Sequence, residues 1–239
     1  MDANSVEKAT LVQVRGQFDN RYLIECAHRL PTRLCGVVIV DTDQPNAPET
    51  LAHWVREGAV GVRLEPTTRS PGRDPLAIWR KAAELGIPVS VFGSADEFTS
   101  REFEEVLEEL PTLPVIIEHL GRIGRHEVPP YSTFRRILAL ARHPNAYIKI
   151  HGLGEICPRP MPFPEPMRFS NVPPFMELAY EVFGARRMLW GSDFPPVAAR
   201  EGYHNALRWP MEHIPVRDDE DREWIFGRTA LSLFRFADE

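Results

Sequence analysis

No stretch of 18 consecutive apolar residues occurs in the chain, which leaves no segment suited to cross a bilayer as a helix. Positive charge is sparse: 28 Lys and Arg stand against 34 Asp and Glu, with no basic run, and this argues against a nucleic-acid surface. Cysteine is nearly missing. Cys26, Cys35 and Cys157 are odd in number and show no CxxC spacing, so they read as reduced thiols rather than a disulfide framework. The opening MDANSVEKAT lacks the charged-then-apolar order of a secretory signal. The expectation is a cytoplasmic protein with neither a membrane nor a nucleic-acid partner. No GxGxxG or other phosphate loop follows any apolar run, which weakens the case for a doubly wound nucleotide-binding sheet.

Seven short apolar runs are present: Ala9–Val14, Leu34–Val40, Ala59–Leu64, Pro88–Phe92, Pro114–Glu118, Ala146–Ile150 and Arg187–Trp190. Near-continuous Val, Ile and Leu of this length describe strands covered on both faces, as in a parallel sheet. The stretches between them have helical length and helical punctuation. Glu49–Glu57 ends at Gly58, and Pro75–Leu85 begins with proline and ends at Gly86. Thr99 is placed to cap Ser100–Leu110, where Phe103, Val106, Leu107 and Leu110 form an apolar stripe. Asp218–Phe236 reads as one or two closing helices with Trp224, Ile225, Ala230, Leu231 and Phe234 inward. Cys157–Pro174, with seven prolines, is a long irregular loop that follows a strand and is expected to lie over the active face.

This rhythm predicts a TIM-barrel-like (β/α)8 fold lacking its first βα unit: seven parallel strands with outer helices, in a single domain over residues 1–239 that is truncated at its N-terminus. Catalytic residues of such barrels sit at the C-terminal ends of the strands. His119 and Asp193 stand there, each led into by an apolar run, PVIIEHLGR and RMLWGSDFPP. A histidine and a carboxylate converging on one pocket can share a proton or a divalent metal, although a capping aspartate and a core histidine are the structural alternative. Arg63 and Arg122 are candidates to grip a substrate carboxylate, with surface ion pairing as the competing role. Lys149 lies near the end of the sixth run and His151 directly follows it; both are candidates for substrate binding. Asp41, in DTDQPNAP, reads as a turn residue.

The ordered set VEKATLVQ, CGVVIVD, GAVGVRLE, PVIIEHLGR, AYIKIHGL, MLWGSDFPP and WIFGRTALSLF resembles the amidohydrolase-related (amidohydrolase 2) family of metal-dependent TIM-barrel hydrolases. The resemblance is nearest to lactonases that act on 2-pyrone-4,6-dicarboxylate and sulfomuconolactone. It implies that His119 matches the histidine of a DHLG pattern, Asp193 the aspartate of GSDWP, and Arg122 an arginine that holds a substrate carboxylate. It implies further that Asp193 acts as general base or metal ligand, and that zinc or manganese is the metal where one is held at all. The chain departs from the pattern in having no HxH pair, Phe92-Gly93 in place of a histidine, Glu118 where Asp is common, and His151 where Ser is usual. With HxH missing, His119 and Asp193 are left as the conditional metal ligands.

The expected activity is hydrolysis of a small carboxylated lactone or ester, with Asp193 activating water and His119 assisting. A metal-dependent decarboxylase of the same family is the alternative reaction, and a non-catalytic or truncated barrel is the alternative class. A small-molecule substrate is the expected partner, and self-association into a homo-oligomer is left open.

Overall fold

The computed structural model describes residues 1–124, 126–158, 169 and 171–238. The strands are β1 Ala9–Val12, β2 Leu34–Val38, β3 Ala59–Leu64, β4 Val89–Val91, β5 Val115–Ile117, β6 Ala146–Ile150 and β7 Met188–Trp190. They lie in one seven-stranded sheet in chain order, the order of a (β/α)8-type fold. The pairs β1·β2, β2·β3, β3·β4 and β6·β7 are parallel, with registers such as Ala9↔Leu34, Val62↔Val89 and Ile148↔Met188. Helices separate the strands, so the βα rhythm in the sequence reflects real βα units. The chain divides into two compact units: residues 1–116, 143–146 and 231–239, and residues 117–142 and 147–230.

In the first unit the strand residues Val37, Val38, Val62, Val89 and Val91 are fully buried, as expected for strands covered on both faces. The helix Arg21–Arg29 turns Leu23, Ile24 and Ala27 inward onto β2. It approaches so closely that a Cβ at Gly36 would overlap the Leu23 side chain. Pairing of β1 continues through the Gln13 N–H to the Val37 carbonyl at 2.9 Å, but Val14 is 64% exposed, so the strand stops short of the expected end. Ser100, not Thr99, caps the helix Arg101–Glu109: its hydroxyl accepts from the Phe103 N–H at 3.2 Å. Thr99 instead donates its hydroxyl to the Ala95 carbonyl of the preceding turn, Ala95–Phe98, which Ser94 and Glu97 close with a reciprocal capping box.

In the second unit Phe134 and Phe175 pack with ring centroids 5.0 Å apart, and Ile148, Ile150 and Met188 are fully buried. After the short helix Asp219–Glu223 the chain makes a π turn, Trp224–Arg228, before Thr229–Leu233, and from Leu231 onward it belongs to the first unit. One extra residue in a turn rotates everything beyond it by about 100° relative to an uninterrupted helix. The expected inward face is therefore corrected: Ile225 and Phe234 are buried, Trp224 is half-buried under the guanidinium of Arg186, and Leu231 is 52% exposed. Thr229 takes a buried place, with its hydroxyl on the Ala185 carbonyl at 3.2 Å. The proline-rich stretch expected over the active face falls mostly outside the described residues.

Candidate active site

The second unit gathers the ionisable residues that follow β5, β6 and β7. Directly after β5 the backbone of His119, Leu120, Gly121 and Arg122 runs left-handed, with φ of 53°, 52°, 67° and 54°. Each non-glycine residue there costs roughly 1–2 kcal/mol. Leu120 is fully buried, and its packing holds the turn in place. Asp193, three residues beyond β7, is also left-handed at φ 52°. Strain of this kind persists only where the surroundings over-determine it, and it concentrates at functional sites.

His119 and Asp193 come together. The His119 Nε2 lies 3.9 Å from Asp193 Oδ1 and 4.0 Å from Glu118 Oε2, distances at which a water can bridge. The opposite edge of the ring is held firmly, with Nδ1 at 2.9 Å from both carboxylate oxygens of Glu155. A carboxylate only accepts, so the ring presents an N–H to Glu155 at Nδ1 and turns its Nε2 edge toward Asp193. Burial alone would raise the Glu155 pKa, but His151, the His119 hydrogen bond and the Arg200 guanidinium outweigh it and take the group down to about 2. His151 is 2% exposed, and burial lowers its pKa although the Glu155 carboxylate opposes the shift. Its Nδ1 sits 2.8 Å from the Gly152 carbonyl and 3.6 Å from Glu155 Oε2, and its ring centroid is 5.6 Å from that of His119. Arg200 Nη1 donates toward Asp193 Oδ2 at 2.9 Å and lies 3.4 Å from Glu155 Oε2.

The other residues singled out in the sequence have separate surroundings. Lys149 donates to Glu118 Oε1 at 3.0 Å, so its charge is balanced by a carboxylate whose side chain is 1% exposed. Arg122 is exposed. Arg63 belongs to the first unit, where it donates to the Gln13 carbonyl at 3.1 Å and stands over the Phe92 ring. Asp41 accepts from the Asp43 N–H and the Gln44 amide, the turn role its sequence suggests. Three site residues went unread in the sequence. Glu155 lies four residues beyond His151, in the turn that follows β6, and that strand-end placement was the available signal. Arg200 and Glu201 follow the turn Pro196–Ala199, and nothing in their local sequence marks them.

His119, His151 and Glu155 also form a group whose donor atoms all lie within 4.8 Å of one another. Two imidazoles and a carboxylate suit a divalent ion, and the His151 Nε2 is buried without a hydrogen-bond partner, as a ligand nitrogen awaiting an ion would be. The residues therefore fit such an ion. Asp193 is not among the three; it stands 3.9 Å from His119 Nε2.

A model of the amidohydrolase family matches residues 2–236. The chain belongs to the amidohydrolase family. The L-fucono-1,5-lactonase of Burkholderia ambifaria is 27% identical to it over 255 residues, covering 97% of this chain and 81% of that protein. The 4-sulfomuconolactone hydrolase of Hydrogenophaga intermedia is 26% identical over 201 residues, covering 81% of this chain and 60% of its own length. A solved amidohydrolase from Burkholderia multivorans with bound zinc shares the fold at TM-score 0.79 and 19% identity, covering 99% of this chain and 86% of that one. Relatives acting on lactones thus match an amidohydrolase whose second unit sets a histidine and an aspartate side by side after its strands.

Proposed function

We propose that this amidohydrolase hydrolyses a small lactone bearing a carboxylate. The observation that carries the reading is the 3.9 Å approach of His119 Nε2 to Asp193 Oδ1, each residue held left-handed at a strand end. A water between them donates one hydrogen to Asp193 and meets the His119 ring at its Nε2 edge. As the water attacks the lactone carbonyl, Asp193 takes its proton, and the same proton then passes to the ring oxygen as it leaves. Where no ion is held, Glu155 fixes the His119 ring by its Nδ1 edge. Arg122, exposed at the end of the left-handed turn, supplies a cation for the substrate carboxylate. The ion that His119, His151 and Glu155 suit would, when bound, supply Lewis-acid polarisation of the carbonyl.

The test is acid release on a pH-stat with L-fucono-1,5-lactone and with a carboxylated muconolactone, after chelation and after addition of zinc or manganese. Turnover should appear with the carboxylated muconolactone, and Asp193→Asn should lower kcat by about 10²–10⁴-fold. Turnover of the neutral fuconolactone alone would keep the lactonase reading and remove the carboxylate from it. Absence of turnover under every condition would sink the lactonase reading. Carbon dioxide release from a carboxylated ring without ring opening would favour decarboxylation instead.

A further inference from the structure

We propose that Arg200 and Glu201 form a charged strut that sets Asp193 and Glu155 in place, Arg200 as a positioning residue and Glu201 as its anchor. This rests on the reading of Asp193 as the base. The Arg200 Nη1 ties down Asp193 Oδ2 at 2.9 Å and leaves Oδ1 as the oxygen beside His119. The same nitrogen lies 3.4 Å from Oε2 of Glu155, the residue that orients the other edge of the His119 ring. One guanidinium therefore spans both carboxylates that bracket the histidine.

Behind Arg200 lies a further carboxylate. The Arg200 Nε is 3.5 Å from Oε2 of Glu201, whose side chain is fully buried, an ion pair at a distance and angle that make no hydrogen bond. Glu201 Oε1 accepts the Gly154 N–H at 3.2 Å, and the Asn205 amide donates to the Glu201 carbonyl at 2.9 Å. The carboxylate lies against the backbone of Gly152 and Gly154, and a Cβ at either position would overlap it. Those glycines begin the turn that carries Glu155, so the chain leaves room there for a buried acid. An isolated buried carboxylate is costly, and Arg200 is the cation that answers this one. Burial pushes the Glu201 pKa up while Arg200 opposes the shift. A surface ion pair would not need a cradle of this kind.

The test compares Arg200→Ala, Arg200→Lys and Glu201→Gln with the parent in steady-state lactone turnover and in thermal melting. For Arg200→Ala, kcat should fall by about tenfold or more with KM changed by less than about threefold, since a misplaced base loses rate and not affinity. Guanidinium added to the solution should restore part of that kcat, and Arg200→Lys should retain more than Arg200→Ala. In melting, the loss of Tm from Arg200→Ala should be smaller in an Asp193→Asn background, because the partner is already altered. If Arg200→Ala does not fold, Arg200→Lys and Glu201→Gln take its place in the cycle. A rise in KM alone would overturn the proposal and make Arg200 a substrate ligand. Equal Tm losses in both backgrounds without guanidinium rescue would overturn it in favour of simple packing. If the parent turns over no lactone, the melting cycle decides by itself: non-additivity upholds the strut, additivity overturns it, and the missing turnover bears only on the role of Asp193.

Discussion

Lys149 carries an ammonium on a strand whose alternate residues, Ala146, Ile148 and Ile150, are fully buried. It is tolerated because Glu118, itself 1% exposed, accepts from it at 3.0 Å. Removing one partner of a buried pair strands the other charge, which costs about 3–5 kcal/mol. Lys149→Met should therefore lower the unfolding free energy in urea by roughly 3 kcal/mol, and Lys149→Met with Glu118→Gln by clearly less. Equal losses in the single and double variants would show that the pair is not coupled. At this scale His119 and Asp193 were legible because each stands within three residues of the end of an apolar run. Glu118 was noticed only as a departure from the family pattern. Its pairing with Lys149, like the His119–Glu155 contact, joins residues 31 or 36 positions apart, and no local pattern encodes that.

At the scale of elements, the cap of Arg101–Glu109 gives a direct comparison. Ser100 accepts the Phe103 N–H, whereas the Thr99 hydroxyl only donates to carbonyls of the preceding turn. Ser100→Ala should cost about 1 kcal/mol in chemical denaturation, and Thr99→Ala appreciably less. The reverse ranking would return the cap to Thr99. The left-handed turn after β5 allows a sharper experiment. Gly121 has φ 67°, and a Cβ there would lie 2.7 Å from Ile137 Cδ1, so Gly121→Ala combines backbone strain with a steric clash. The expected cost is roughly 1–3 kcal/mol in unfolding free energy, with a larger proportional loss of turnover than of stability because His119 shares the turn. The sequence signals helix ends and strand cores through short-range preferences. The π turn at Trp224–Arg228 escaped them because its phase shift depends on how the segment packs.

Across the whole molecule, two measurements probe the packed state. The Cys35 thiol, 4% exposed on β2, is pushed up by burial to about 11, although the Thr10 hydroxyl opposes the shift. A thiol is neutral when protonated, so a raised folded value stabilises the fold below the ordinary thiol range. That stability is lost as pH rises from about 9 to about 11, in total by up to about 3 kcal/mol. Tyr203, also raised by burial, adds to the same alkaline slope. The melting temperature should fall across that window, and Cys35→Ala should flatten the fall; an unchanged slope would show that Cys35 does not drive it. The second measurement concerns the His119, His151 and Glu155 group. Zinc at about 100 times its dissociation constant should add about 2.7 kcal/mol of stability, and His151→Ala should remove that increment. An equal rise in the variant would place the ion elsewhere.

The number of strands, their parallel character and the alternation with helices were determined by the sequence alone. They follow from apolar runs, breakers and spacing, all of which act over a few residues. The residues placed at the ends of β5 and β7 followed from the same pattern. Tertiary structure decided which side chains His119 meets, that Lys149 is balanced by Glu118 and that a guanidinium from beyond β7 holds two carboxylates. It also decided that Gly152 and Gly154 make room for a buried acid. Those outcomes depend on distances between segments far apart in the chain, which are set only when the strands pack and burial makes an unpaired charge too costly to leave.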